Sequence, residues 1–173
     1  MQDETIQNGL NRNSDFAARK TPKSPGIKIM PPTVFYCCLL LGIGLEWLLP
    51  TSFSMTAAWR LGLGVALGGA GFTFMMYGHE RFKRLGTNVR TNLPAKRLVR
   101  GGAYRYSRNP MYVGGSALYL GLALCANSLW MAASWLPLGG FLALYVVPKE
   151  ETYMLARFGE AYAAYCDAVR RWL

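Results

Sequence analysis

Acidic residues and histidine are scarce in this chain. Nine Asp and Glu stand against nineteen Lys and Arg, and His79 is the only histidine. The four cysteines, Cys37, Cys38, Cys125 and Cys166, form no Cys-x-x-Cys and have no histidine cluster beside them. That spacing argues against a zinc site or any other bound metal, and against a disulfide framework. Cys37 and Cys38 sit in an apolar run, where cysteine behaves as a small hydrophobe. Charge of either sign is thin as well. Charged residues make up 16% of the chain and hydrophobic ones 52%, with a formal net charge of +10. A soluble basic protein of this length would carry more charge and fewer apolar runs. Basic residues gathered between apolar segments instead suggest a membrane protein with its positive charge on one side. The same interruption argues against nucleic acid as a partner, which calls for a continuous basic stripe. A length of 173 residues suggests one domain.

Taken in order, residues 1–32 are polar and mixed in charge, with Pro22, Pro25, Pro31 and Pro32. They read as a mostly disordered cytoplasmic tail and not as a signal peptide, because no small-residue cleavage site follows the apolar run. A membrane domain is expected over 33–173, with hydrophobic segments at 33–49, 57–77, 111–126 and 129–147. The expected fold is therefore all-α, a polytopic helical membrane protein of four hydrophobic segments plus a C-terminal amphipathic helix, 149–172. Glu46 and Arg60 fall near one turn, either as an ion pair at the membrane edge or as charges facing a substrate. Gly62-x-Gly64 with Gly68 is superficially like a dinucleotide-binding loop, but its last interval is one residue too long and no strand precedes it. Gly64-x-x-x-Gly68 instead allows a second helix to approach closely. Asn127 and Ser128 separate segments three and four, as a tight helical hairpin requires, and Pro137 is expected to bend the fourth. Leu155, Phe158, Tyr162, Tyr165, Val169 and Trp172 recur at three- and four-residue steps, one apolar stripe interrupted by Gly159.

The connection from Gly78 to Pro110 carries Arg81, Lys83, Arg84, Arg90, Lys96, Arg97, Arg100, Arg105 and Arg108, with Glu80 as its only acid. By the positive-inside rule this face is cytoplasmic, and both termini share it. Within it, Leu98 to Gly115 reads as a shaped loop. Gly101 and Gly102 permit a tight backbone, and Pro110 holds Asn109 extended while starting a helix. The first N–H groups of such a helix suit a carboxylate or phosphate. The hairpin brings this loop to Lys149, Glu150 and Glu151, so Tyr112 and Glu150 are expected near each other. An acid pair beside an Arg/Tyr loop could bind a zwitterionic ligand. The plainer alternatives are basic residues that meet anionic lipid and glutamates that cap the last helix.

Two motifs carry a resemblance. The first is Leu98-Val99, then Gly102-Ala103-Tyr104-Arg105, then Arg108-Asn109-Pro110-Met111-Tyr112-x-Gly114. The second is Glu150-Glu151-x-x-x-Leu155-x-x-Phe158-Gly159-x-x-Tyr162-x-x-Tyr165, ending in Val169-Arg170-Arg171-Trp172. Together they resemble the isoprenylcysteine carboxyl methyltransferase family, which is grouped with the phospholipid methyltransferases of membranes. The resemblance implies S-adenosylmethionine as cofactor, held by the loop 96–112 and the helix after the hairpin. The matching cofactor positions are Lys96, Arg97, Leu98, Val99, Tyr104, Asn109, Pro110, Tyr112 and Glu150. Arg108, Glu150 and Glu151 are the candidate catalytic residues, and Lys149 is the candidate contact for a substrate carboxylate. The chain departs from the prenyl-protein enzymes twice. Asn109 stands where they usually have His, and Asn cannot titrate near neutral pH. The Arg that precedes their Glu pair is also missing, with Val146-Val147-Pro148-Lys149 in that place. The expected function is S-adenosylmethionine-dependent methyl transfer to a lipophilic acceptor reached from the bilayer, with the membrane lipids as its surroundings. The rivals are a phospholipid amine N-methyltransferase, a reductase of similar architecture and a non-catalytic helical scaffold.

Overall fold

A computed structural model describes residues 24–86, 93 and 95–173. Most of the expected tail, and Arg90 of the basic connection, lie outside them. Among the described residues every regular element is helical. Helix α1 is Pro31–Leu48 and α2 is Ala57–Arg84. A short 3-10 turn, Gly102–Arg105, precedes α3, Pro110–Ala126. Helices α4, Leu129–Ala133, and α5, Trp135–Phe141, lead into a π-helical turn, Leu142–Val146. Helices α6, Val147–Phe158, and α7, Glu160–Ala168, complete the chain. By length and composition three stretches are apolar and long enough to cross a membrane: Pro31–Leu48, Ala57–Arg84 and Leu129–Phe158. Pro110–Ala126 is apolar and shorter, at 17 residues.

Several boundaries differ from expectation. Pro31 and Pro32 start α1 instead of ending a tail, since a first-turn residue needs no N–H. Helix α2 does not stop at Tyr77. It continues to Arg84, so its 28 residues reach roughly 42 Å at 1.5 Å per residue. Arg81, Lys83 and Arg84 lie in its last turn, where cations favour the helix dipole. Charge there marks the edge of the apolar zone and not the end of the helix. The fourth segment is interrupted at Ser134, three residues before Pro137, which then lies in the first turn of α5. The π turn ends directly before α6, whose first turn contains Pro148. A proline ring clashes with the carbonyl four residues earlier, and a widened turn relieves that clash. The expected C-terminal helix is two helices, because Gly159 adopts φ 53° and breaks the path. Its stripe is not one buried face either. Tyr162 and Tyr165 are buried, whereas Leu155 and Trp172 are exposed.

Glycine governs the tightest helix contact. Gly64, Gly68, Gly71 and Gly78 are the buried residues of α2, and they meet α3. A Cβ on Gly114 would lie 2.5 Å from the Gly71 carbonyl oxygen, and one on Gly121 would lie 2.6 Å from the Gly68 Cα. Helix α1 packs elsewhere, against α4 and α5. At the end of the bundle away from the basic connection, polar contacts join the two turns. Glu46 accepts from the Thr51 hydroxyl at 2.7 Å and the Ser128 hydroxyl at 2.6 Å. Arg60 donates to the carbonyls of Leu124 and Cys125 at 2.8 and 2.6 Å. Glu46 and Arg60 therefore do not pair; each ties the α1–α2 turn region to the α3–α4 turn. Asn127 sits at φ 58° in that second turn, where asparagine is tolerated, and its side-chain oxygen accepts from the Phe53 N–H.

Candidate functional site

The loop before α3 is fixed from both ends. The Ala95 N–H donates to the Tyr153 hydroxyl at 2.9 Å, and Val99 is buried. Gly102 takes φ 67° to enter the 3-10 turn. That turn buries Ala103 and Tyr104, with the Tyr104 ring 5.2 Å from that of Phe82 on α2. The Tyr165 hydroxyl of α7 donates to the Tyr104 carbonyl at 2.8 Å. Burial pushes the Tyr165 hydroxyl up to about 12 and raises that of Tyr104 well above its ordinary value. Both phenols thus stay protonated, and that of Tyr165 serves as the donor to the turn.

The Arg108-Asn109-Pro110 turn is held by the end of the chain. The Arg108 N–H donates to the Arg170 carbonyl at 3.0 Å, and the Asn109 side-chain amide donates to the Arg171 carbonyl at 2.9 Å. The fully buried Ser107 accepts from the Asn109 N–H at 3.0 Å. Pro110 is fully buried at the first position of α3. The expected free helix start is only partly present, because the N–H groups of Tyr112 and Val113 both donate to the Asn109 carbonyl.

The two glutamates divide. Glu150 accepts from the Tyr112 hydroxyl at 2.8 Å. Glu151 lies 3.2 Å from Arg108 and takes two bonds from Arg171, at 3.0 and 2.6 Å. That bidentate carboxylate raises the Arg171 guanidinium above its ordinary value. Arg108 also donates to the Cys166 sulfur at 2.7 Å, while its Nε is buried without a partner among the described residues.

Several of these groups line a cavity of about 570 Å³. Of the candidate residues, Leu98, Val99, Tyr104, Arg108, Asn109, Tyr112, Glu150 and Glu151 line it. The rest of its lining is mostly apolar and includes Phe35, Tyr36, Met75 and Met76 of α1 and α2. Lys96, Arg97, Pro110 and Lys149 are not in the lining. Lys149 turns outward, 4.1 Å over the Tyr145 ring and 3.5 Å from the Gly26 carbonyl. Sequence reading did not give site positions to His79, Tyr153 and Met154, which also line the cavity, nor to Cys166 beside Arg108. Tyr153 carried a weak signal, three residues after Glu150 and so on the same side of a helix.

The fold and the site define an all-helical integral membrane protein. Among the described residues it has a cavity whose lining is polar where the basic loop meets the C-terminal helices and apolar along α1 and α2. Comparison with known families matches residues 59–161 to the phospholipid methyltransferase family, and the chain belongs to that family. An uncharacterized protein of Haemophilus influenzae is 39% identical over 61 residues, which cover 32% of this chain and 97% of that protein. No solved structure matches the chain.

Proposed function

We propose that this membrane methyltransferase uses S-adenosylmethionine and methylates a lipophilic acceptor. The observation that carries the reading is the cavity itself, which joins an ionic wall to an apolar one within the size range of small-molecule sites. The donor set suits the cofactor. The orphaned Nε of Arg108 could receive a carboxylate, Glu150 an ammonium or ribose hydroxyl, and the Tyr104 and Tyr112 rings a sulfonium. When bound, S-adenosylmethionine supplies an electrophilic methyl group for in-line displacement. The chain's own part is to align the reactants and exclude water. Glu151 is committed to two arginines, which leaves Glu150 as the better placed acceptor of a proton. The loop, α6 and the chain end enclose the polar wall, while the apolar wall accommodates the acceptor's hydrocarbon.

Two acceptor classes are compatible with that chemistry, a prenylcysteine carboxylate and a phospholipid amine. The outward turn of Lys149 favours the amine, because it removes the cation expected to meet a substrate carboxylate. Purified protein is to be offered methyl-labelled S-adenosylmethionine with a total lipid and protein extract. Label in an amine headgroup is the expected outcome. Label as a base-labile ester on protein would restore the carboxylate reading. No label and no cofactor binding by folded protein would overturn the enzyme reading.

A further inference from the structure

A second polar groove of about 510 Å³ lies at the basic end of α2, lined by Tyr77, Glu80, Arg81, Arg84, Arg100, Gly101, Gly102 and Arg105. Four arginines there face one glutamate. Glu80 is taken by Arg84 at 3.0 Å, and Arg100 is anchored to the Ala161 carbonyl at 2.6 Å. Arg81 is different. Its Nε is buried without a hydrogen-bond partner among the described residues. Its guanidinium lies against Gly101, where a Cβ would meet Nη2 at 2.8 Å and Nε at 3.2 Å. Glycine at that place therefore leaves room for the guanidinium. Gly101 itself is extended, with φ −107°, so its backbone does not require glycine. Arg105 is exposed at the end of the 3-10 turn.

We propose that this groove binds the phosphate of an anionic membrane phospholipid, at a site separate from the methyl-transfer cavity. The helix beneath it favours a lipid over a free anion. Stepping back from Tyr77 by fours and threes along α2 gives Thr73, Ala70, Ala66 and Leu63, all exposed on the same side. A headgroup in the groove thus has its acyl chains against an uncharged helix face. Tyr77, half exposed at the junction, is the residue type that prefers the headgroup level. The groove also touches the turn that carries Tyr104, so an occupied groove would brace one wall of the cavity.

The test needs neither cofactor nor methyl transfer, and so stands apart from the function proposed above. Delipidated full-length protein in detergent is titrated with phosphatidylglycerol or phosphatidylcholine of identical chains, and bound lipid is counted by native mass spectrometry. Wild type is expected to prefer phosphatidylglycerol. Arg105→Gln should reduce that preference by roughly tenfold, the size of one lost charged hydrogen bond. Gly101→Ala should reduce it too, without altering charge, because it displaces the Arg81 guanidinium. Arg157→Gln, an exposed cation on α6 outside the groove, should leave it unchanged. Equal losses in Arg105→Gln and Arg157→Gln would overturn the site in favour of diffuse attraction. Displacement of the lipid by inorganic phosphate at equal concentration would overturn the lipid assignment. Arg105 is exposed, so its variant keeps the test valid should Gly101→Ala not fold.

Discussion

Glu150 and Glu151 are neighbours in sequence with different partners. Glu151 is surrounded by Arg108 and Arg171, and its side chain is 18% exposed. Glu150 has one neutral donor, the Tyr112 hydroxyl, and otherwise faces the cavity. This contrast yields a paired prediction. Glu150→Gln should weaken S-adenosylmethionine binding by about 1.5–3 kcal/mol, the worth of a hydrogen bond to a charged group, with thermal stability little changed. Glu151→Gln should lower stability, because it leaves two guanidinium groups together without their shared anion; about 1–3 kcal/mol is expected for such partly buried groups. Cofactor titration and thermal unfolding in one detergent would separate the two. Unchanged affinity in a folded Glu150→Gln protein would assign that side chain to holding Tyr112 alone. The convergence of Tyr112 with Glu150 was legible in the sequence, because a helical hairpin returns its two ends to one level. The partners of Glu151 were not. Arg171 lies twenty residues further on, and it reaches back only because Gly159 redirects α7 and the chain leaves the helix at Val169.

At the scale of elements, the α2–α3 pair supports the site, since α2 carries Phe82 against Tyr104 and α3 carries Tyr112. Its glycines are not equivalent. Gly114 meets backbone on the facing helix, with the Met75 nitrogen 2.6 Å from a would-be Cβ. Gly69, in contrast, has nothing within 4 Å. Gly114→Ala should therefore force the helices apart, and overpacking of this kind costs typically about 1–3 kcal/mol. Gly69→Ala should be neutral or stabilising by up to about 1 kcal/mol, from helix propensity. Unfolding midpoints in detergent would compare them, and equal shifts would show that close approach is not what these glycines provide. The close-packing pattern was readable as Gly64-x-x-x-Gly68 because its spacing alone places both residues on one helix face. Helix ends were less readable. The continuation of α2 past Tyr77 brings Phe82 against Tyr104 of the 3-10 turn, and the break at Ser134 falls three residues before Pro137. In each case a local signal, charge or proline, marked the neighbourhood but not the residue where the path changes.

The whole molecule is polarised along its helices. One end holds Arg81, Lys83, Arg84, Arg97, Arg100, Arg105 and Arg108 together with the cavity's ionic wall. At the other end Glu46 and Arg60 are absorbed into hydrogen bonds between the two turns. Positively charged loops are retained on the cytoplasmic side during insertion, so this asymmetry predicts an orientation. The site should then open toward the cytoplasm, where S-adenosylmethionine is made, and the turns should face outward. Two exposed positions report on this. Ser54 lies in the α1–α2 turn, and Tyr106, 67% exposed, follows the 3-10 turn at the basic end. In a background lacking the four native cysteines, Ser54→Cys should react with an impermeant maleimide on intact cells. Tyr106→Cys should react only after permeabilisation. Ser107, although beside it, is a poor reporter, because it is fully buried beneath Asn109. Reaction of Tyr106→Cys from outside intact cells would reverse the orientation and place the cavity's ionic wall away from the cofactor supply, a result that would count against methyl transfer by this chain as well as against the topology.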